Sequence, residues 1–232
     1  MFRIDSNGFV EIPAYLVIPS GVEEPNFCVN PALTSDSTLR YSTQHTMKHS
    51  KTPSLGYALL GLLQGNPSSG YDLRKVFSST SLKTYSDSPG AIYPALSRLE
   101  KQGLIRGRVE EGSGLRRRQL FRLTPKGLSE LKKWITGPIT REDLLWAQQE
   151  ILLRFAFAHT AVGPAAAVGL LRSVEAALKI YISSLYEELR TIKSTMTLSA
   201  RLAFQCGIRG NESLLEWTRF AISAYEKERK GA

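Results

Sequence analysis

Residues 88–100 read Ser88-Pro89-Gly90-Ala91-Ile92-Tyr93-Pro94-Ala95-Leu96-Ser97-Arg98-Leu99-Glu100. A serine followed by proline is a helix start: the hydroxyl can accept a free backbone N–H, and the pyrrolidine ring presets φ for the first helical position. Ile92, Ala95, Leu96 and Leu99 recur at steps of three and four and fall on one face. Gly90, Ala91, Tyr93, Ser97, Arg98 and Lys101 fall on the other. The spacing predicts a helix over 88–102 that stops at Gly103 and turns a small, polar and basic face outward. Pro94 lacks an N–H, so a local bend or a late helix start is expected there.

On the N-terminal side, Leu55, Ala58, Leu59, Leu62 and Leu63 follow Ser54 as a helical stripe that ends at Gly65-Asn66-Pro67. Ser68-Ser69 can cap a second helix carrying Tyr71, Leu73, Val76 and Phe77, and residues 78–87 form a polar gap. On the C-terminal side the period changes. Residues 104–110 and 115–123 read as strands around Gly112-Ser113-Gly114, with Arg116, Arg117 and Arg118 at the tip of the hairpin. Neighbouring residues on a strand alternate faces, so at most two of the three arginines share one side. Thr124-Pro125 caps a fourth helix with Leu128, Leu131 and Ile135.

Three helices, a hairpin and a helix describe a winged helix-turn-helix. Charge supports it. The 232-residue chain carries a formal charge of +9. That excess is concentrated: residues 52–133 hold fourteen basic and six acidic side chains, while residues 1–46 are net acidic and residues 134–232 are near balance. A localised positive field suits a polyanion. The third helix can enter a major groove about 12 Å wide, and the arginine-rich tip can lie along neighbouring phosphates. A hairpin edge kept charged to discourage sheet pairing is the duller reading of the triplet.

The motifs Ser54-Leu55-Gly56-Tyr57-Ala58-Leu59-Leu60-Gly61-Leu62-Leu63, Ser69-Gly70-Tyr71-Asp72-Leu73, the 88–100 stretch, Gly103-Leu104-Ile105 and Arg122-Leu123-Thr124-Pro125-Lys126-Gly127 stand in this order. Together they resemble the PadR family of bacterial transcriptional regulators. The resemblance implies a dimeric repressor whose third helix and wing bind a near-palindromic operator in double-stranded DNA. It places Ser88, Gly90, Tyr93 and Arg98 toward DNA, with Tyr71 supporting a backbone contact; Ser97, Lys101 and the three tip arginines complete the expected DNA-binding set. The base of the wing departs from the family, whose members usually have a basic residue followed by two aromatics where this chain has Arg118-Gln119-Leu120-Phe121.

Beyond residue 136, Thr140 and Asp143 form a capping-box pair ahead of a stripe at Leu144, Ala147, Ile151 and Phe155. Gly163-Pro164 restarts a long helix. Its apolar positions Leu171, Val174, Leu178, Tyr181 and Leu185 make a coiled-coil-like seam that continues through Leu189, Ile192 and Met196. Asn211 can cap a last helix carrying Leu214, Trp217 and Tyr225. With Trp217 the seam is the expected homodimer interface, since a reader with one recognition helix gains spacing from two-fold symmetry. Trp146, Phe155, Tyr181 and Trp217 could line a pocket for a small-molecule effector, although aromatics at helical spacing are more often core.

The expected architecture is mainly α with a small β-hairpin wing: an N-terminal extension and linker (1–50), a winged helix-turn-helix domain (51–136) and a coiled-coil-like helical dimerisation domain (137–232). The stretch 9–18 can form one short strand with no obvious partner, and Met47 can serve as an alternative start. Cys28 and Cys206 lie far apart, and His45, His49 and His159 have no metal-ligand spacing. These features point away from metal and cofactor and toward the cytoplasm. No phosphate-binding or nucleophile motif supports an enzyme, and the absence of a long apolar run argues against a membrane span. The alternative function is a winged module that binds protein or RNA and scaffolds a complex.

Overall fold

The computed structural model describes residues 3–4, 10–11, 54–86, 88–111 and 117–231. Two short strands, β1 (Arg3–Ile4) and β2 (Val10–Glu11), pair antiparallel, so the strand expected at 9–18 has a partner and is described for two residues only. The alternative start at Met47 and the linker around it lie outside the described residues.

The winged half follows as α1 (Ser54–Leu62), β3 (Ser68–Ser69), α2 (Gly70–Ser79), a 3-10 turn (Ser81–Thr84), α3 (Pro89–Lys101), β4 (Ile105–Glu111), β5 (Arg117–Leu123) and α4 (Pro125–Ile135). Capping serines and threonines set the boundaries. Ser69 caps α2 in a reciprocal box with Asp72, Ser88 caps α3 through Gly90 N, and Thr124 caps α4 through Gly127 N. Helix α3 runs unbroken through Pro94. The carbonyl that the missing N–H would have met belongs to exposed Gly90, near the first turn, where water can satisfy it.

Two features of this half exceed the pattern reading. The polar gap contains the 3-10 turn, which buries Leu82. The hairpin is part of a three-stranded sheet ordered β3-β5-β4, because Ser68 and Ser69 pair with Phe121 and Leu120. A two-residue strand is too short to show a period.

The C-terminal half comprises α5 (Arg141–Trp146), α6 (Gln148–Val162), α7 (Pro164–Ile192) and α8 (Leu198–Gly231). The stripe expected to run from Leu144 to Phe155 in one helix is split at Ala147, whose backbone (φ −132°, ψ 29°) leaves the helical region. Asn211 is no cap. It lies inside α8, nearly buried, donating to the Gly207 carbonyl and accepting from Gln148 Nε2 at 3.1 Å. An asparagine mid-helix mimics a cap in sequence, and only the partner on α6 tells them apart.

The seam of α7 also differs from expectation. Leu171, Val174, Leu178 and Tyr181 are buried inside the chain itself, on a helix that packs against α5, α6 and α8. Leu185 is half-buried against the same core, and Trp217 meets Phe155 of α6 edge-on at 5.4 Å. Four of the six side chains are thus committed to intrachain packing and do not form a face free for a partner, while Leu185 and Trp217 are only partly buried. A heptad-like stripe reports burial without reporting which chain supplies the other side.

The two halves share one core. Helix α6 packs on α1 and α4, and Gly61 of α1 lies so close to the Phe157 ring that a Cβ there would sit 2.5 Å from it. Gly127 in α4 is tighter: its Cβ would fall 2.0 Å from the Leu104 carbonyl oxygen. Backbone cannot yield as a side chain can, so Gly127→Ala should destabilise the protein by about 1–3 kcal/mol. Gly169→Ala, in open space on α7, should stabilise it by about 0.5–1 kcal/mol. Urea unfolding of both variants checks the pair.

Candidate nucleic-acid interface

Helix α3 divides cleanly. Ile92, Ala95, Leu96 and Leu99 are buried, whereas Ser88, Gly90, Tyr93, Ser97, Arg98 and Lys101 are exposed. Burying the apolar stripe against α1 and α2 forces the opposite face outward. Ser88 Oγ accepts from Gly90 N at 3.2 Å, which fixes where the helix begins. Gly90 has ordinary backbone geometry, and an added Cβ would meet only Ser88 Oγ at 3.5 Å. Neither conformation nor crowding within the chain demands glycine there.

Tyr93 leans its ring on Gly70, the first residue of α2, where an added Cβ would stand 2.6 Å from Cε1. The ring is nonetheless 48% exposed, and Tyr71 beside it on α2 is 64% exposed. Two tyrosines thus stand in solvent at the corner where α2 begins and α3 passes.

The wing joins the same corner. Ser69 is buried; its N and Oγ both donate to Asp72 Oδ2, at 3.1 and 2.8 Å, and Asp72 N donates back to Ser69 Oγ at 3.2 Å. Arg118 of β5 donates to Ser69 Oγ at 3.3 Å and pairs with the Asp72 carboxylate. Expected as a DNA contact at the tip, Arg118 is held by α2. From the other side, Gly107 N of β4 donates to Glu100 Oε1 of α3 at 2.7 Å. The hairpin is therefore tied to both helices of the helix-turn-helix. Arg116 lies outside the described residues, and Arg117 begins β5.

Three arginines were missed by attention to the tip. The register sets Arg106 opposite Arg122, Arg108 opposite Leu120 and Glu110 opposite Arg118, so these six share one face of the hairpin. Ile105, Gly107, Phe121 and Leu123 take the face toward the core. Arg106, Arg108 and Arg122 are exposed. Strand alternation combined with the glycine turn held this signal.

The rigid mount for the winged half is α6. Glu150 accepts from Ser54 Oγ of α1 at 2.6 Å and from Trp134 Nε1 of α4 at 2.9 Å. Arg154, nearly buried, donates to the carbonyls of Ile135, Gly137 and Pro138 and so closes the C-terminus of α4. Burial holds its guanidinium below the ordinary range, against the opposing pull of Asp143 and Glu150.

An open apolar groove of about 960 Å³ lies beside this joint, walled by Tyr85, Leu152, Phe155, Trp217, Phe220 and Tyr225. Of the aromatics expected to line a pocket, Phe155 and Trp217 reach it. Tyr181 does not: its buried ring lies under Arg141, at 5.7 Å. The Trp146 side chain lies outside the described residues. Among the described residues no cluster of His, Cys, Asp or Glu could hold a metal ion, and no helix is long and apolar enough to cross a membrane.

Tyr85 donates to the Gln149 carbonyl at 3.0 Å, and burial, reinforced by the Glu150 carboxylate, pushes its phenol up to about 12. The folded chain holds this proton more tightly than the unfolded one, whose tyrosines titrate near 10. Stability from this source is complete below pH 10 and is lost as pH rises from 10 toward 12. Tyr85→Phe should flatten that alkaline loss, at a cost of about 0.5–1.5 kcal/mol near neutrality, as read by urea unfolding across pH 8–12. For the wing, a double-mutant cycle of Asp72→Asn and Arg118→Gln should give a coupling of about 0.5–1 kcal/mol in thermal unfolding; additive effects would dissolve the tie.

Residues 59–133 match the sequence profile of the Transcriptional regulator PadR-like family. The Negative transcriptional regulator PadR of Bacillus subtilis (strain 168) is 33% identical over 81 residues, covering 35% of this chain and 44% of that protein. Transcriptional regulator YqjI of Escherichia coli (strain K12) is 35% identical over 79 residues, 34% of this chain and 36% of that protein. This chain thus spans less than half the length of these relatives. Among solved structures, Bacillus subtilis PadR in complex with operator DNA aligns with 76% of this chain and 99% of that chain, at 22% identity and a TM-score of 0.36. The PadR-like transcriptional regulator BC1756 from Bacillus cereus aligns with 76% and 98%, at 22% identity and a TM-score of 0.32. The matched segment spans most of the helices and the hairpin described above, and through it the chain is similar to the Transcriptional regulator PadR-like family.

Proposed function

We propose that the protein is a sequence-specific DNA-binding regulator, a dimeric repressor that reads a near-palindromic operator through α3 and the wing. One observation carries this: α3 buries its apolar stripe completely and presents Gly90, Tyr93, Ser97, Arg98 and Lys101 outward, beside a hairpin anchored to the same helices. The free N–H groups and positive dipole end of α3 meet phosphate. Gly90 lets the backbone approach closely, and Tyr93, Ser97 and Arg98 reach base edges in the major groove. Tyr71 and Lys101 take the flanking backbone, as do Arg116 and Arg117. The negative transcriptional regulator named above, similar over the winged segment, supports the same assignment, and a cytoplasmic location is part of this reading. The winged half (51–136) is the DNA-binding unit and residues 137–232 carry dimerisation.

The dimer face shifts from the buried seam to its neighbours. Ile180 (74% exposed) and Tyr186 on α7, with Leu198, Leu202 and Phe220 on α8, remain in solvent. These side chains are the ones a second copy would cover, and a second copy places two α3 helices at a spacing one duplex can accept.

Mobility-shift titration against the gene's own upstream region, repeated at rising salt, tests the proposal. Binding should be preferential and should weaken steeply with salt. Tyr93→Phe keeps the ring on Gly70 but removes a hydroxyl that has no partner among the described residues, and should cut the preference for operator over random duplex several-fold. Arg117→Ala should weaken both duplexes alike and lower the salt slope by about 1. Absence of salt-sensitive duplex binding at low ionic strength would refute the proposal and favour the protein- or RNA-interaction module.

A further inference from the structure

We propose that the outward face of the wing, Arg106, Arg108 and Arg122, is a second phosphate-binding surface, separate from the tip, that holds the duplex backbone beside the groove α3 enters. The inference rests on the DNA-binding reading above. Register puts the three side chains on one face with Arg118 and leaves Glu110 as the one carboxylate in that cross-strand set. Arg118 is already taken by Asp72. Arg106, Arg108 and Arg122 are exposed, and none forms an ion pair among the described residues.

The arrangement works against the fold. Arg106 and Arg122 are direct cross-strand partners, and like charges in that position are destabilising. Charging an edge strand against sheet pairing would account for Arg106 and Arg108 on β4, the outer strand of the order β3-β5-β4. It accounts less well for Arg122, because β5 is the central strand and the adjoining residues Leu120 and Phe121 pair with β3. A polyanion relieves the repulsion and uses all three groups. Location selects duplex DNA among polyanions: the same face carries Arg118 to the start of α2, next to exposed Tyr71 and Tyr93.

The test compares the full-length wild type with the triple variant Arg106→Gln, Arg108→Gln, Arg122→Gln on a random-sequence duplex of about 30 base pairs, close to three helical turns. Each phosphate contact contributes about 0.9 to the slope of log affinity against log salt, so the variant's slope should be shallower by about 2–3 per protomer. A charge-matched control, Arg201→Gln, Arg209→Gln, Lys227→Gln on exposed turns of α8, should leave the slope within about 0.5 of wild type. Thermal unfolding of the wing variant should be unchanged or shifted upward, which a structural role for these arginines would not give. A wild-type slope retained by the wing variant overturns the inference while leaving the DNA-binding reading intact, and it is the result expected were an acidic protein the occupant. A wild type with no salt slope removes both. An equal drop in the α8 control overturns the inference too, because net charge and not this face would then be responsible.

Discussion

The Ser69–Asp72 corner is the joint on which the proposed recognition surface depends. A helix and a wing can read one duplex only if their separation is fixed before binding, since each flexible degree of freedom must otherwise be frozen at the expense of affinity. One carboxylate does most of this fixing. Asp72 closes the capping box that starts α2, and it also takes Arg118 from the wing. Because Ser69 belongs to β3 as well, pairing with Leu120, the same two residues end a strand, begin a helix and anchor a hairpin. The Glu100–Gly107 bond supplies the second point of attachment, and two points resist rotation where one would act as a hinge.

A fixed reading head is useful for regulation only if it moves with the rest of the molecule. Here the coupling runs through α6. Glu150 accepts from both α1 and α4, and Arg154 neutralises the exposed carbonyl end of α4 while buried beneath it. An arginine in that position satisfies the last carbonyl of α4 and two more just beyond it, at a helix terminus enclosed by protein. Its three carbonyl partners come from α4 and the segment leading to α5, so a displacement of α6 strains the end of the winged half directly. The groove walled by Phe155, Trp217 and Tyr85 borders this helix.

How much of this could be read from sequence varied with the kind of signal. The capping serines and threonines, Pro89 and Pro125, and the change from helical to strand period located nearly every element of the winged half, because those signals are local. Partners were not legible. The stripe at Leu171, Val174, Leu178 and Tyr181 announced burial, and the fold supplies that burial from α5, α6 and α8 of the same chain. Asn211 carried the composition of a cap, yet its amide is satisfied by Gln148 and by its own helix. Arg118 illustrates the same lesson within the candidate site: three adjacent arginines look equivalent in a string, and only the tertiary position of Asp72 separates the anchored one.

The face opposite the core carries the converse argument. Selection for stability alone would not place Arg106 across from Arg122, since either replaced by threonine or glutamate would strengthen the pair. Nor does solubility require it, because exposed charges of both signs are plentiful on α7 and α8. Where local rules are broken without a compensating contact inside the chain, the compensation lies outside it. The Arg118–Asp72 pair sharpens the point: the wing's one satisfied arginine on this face is the one that positions the sheet. The three left without an ion pair among the described residues share that face with one carboxylate, Glu110.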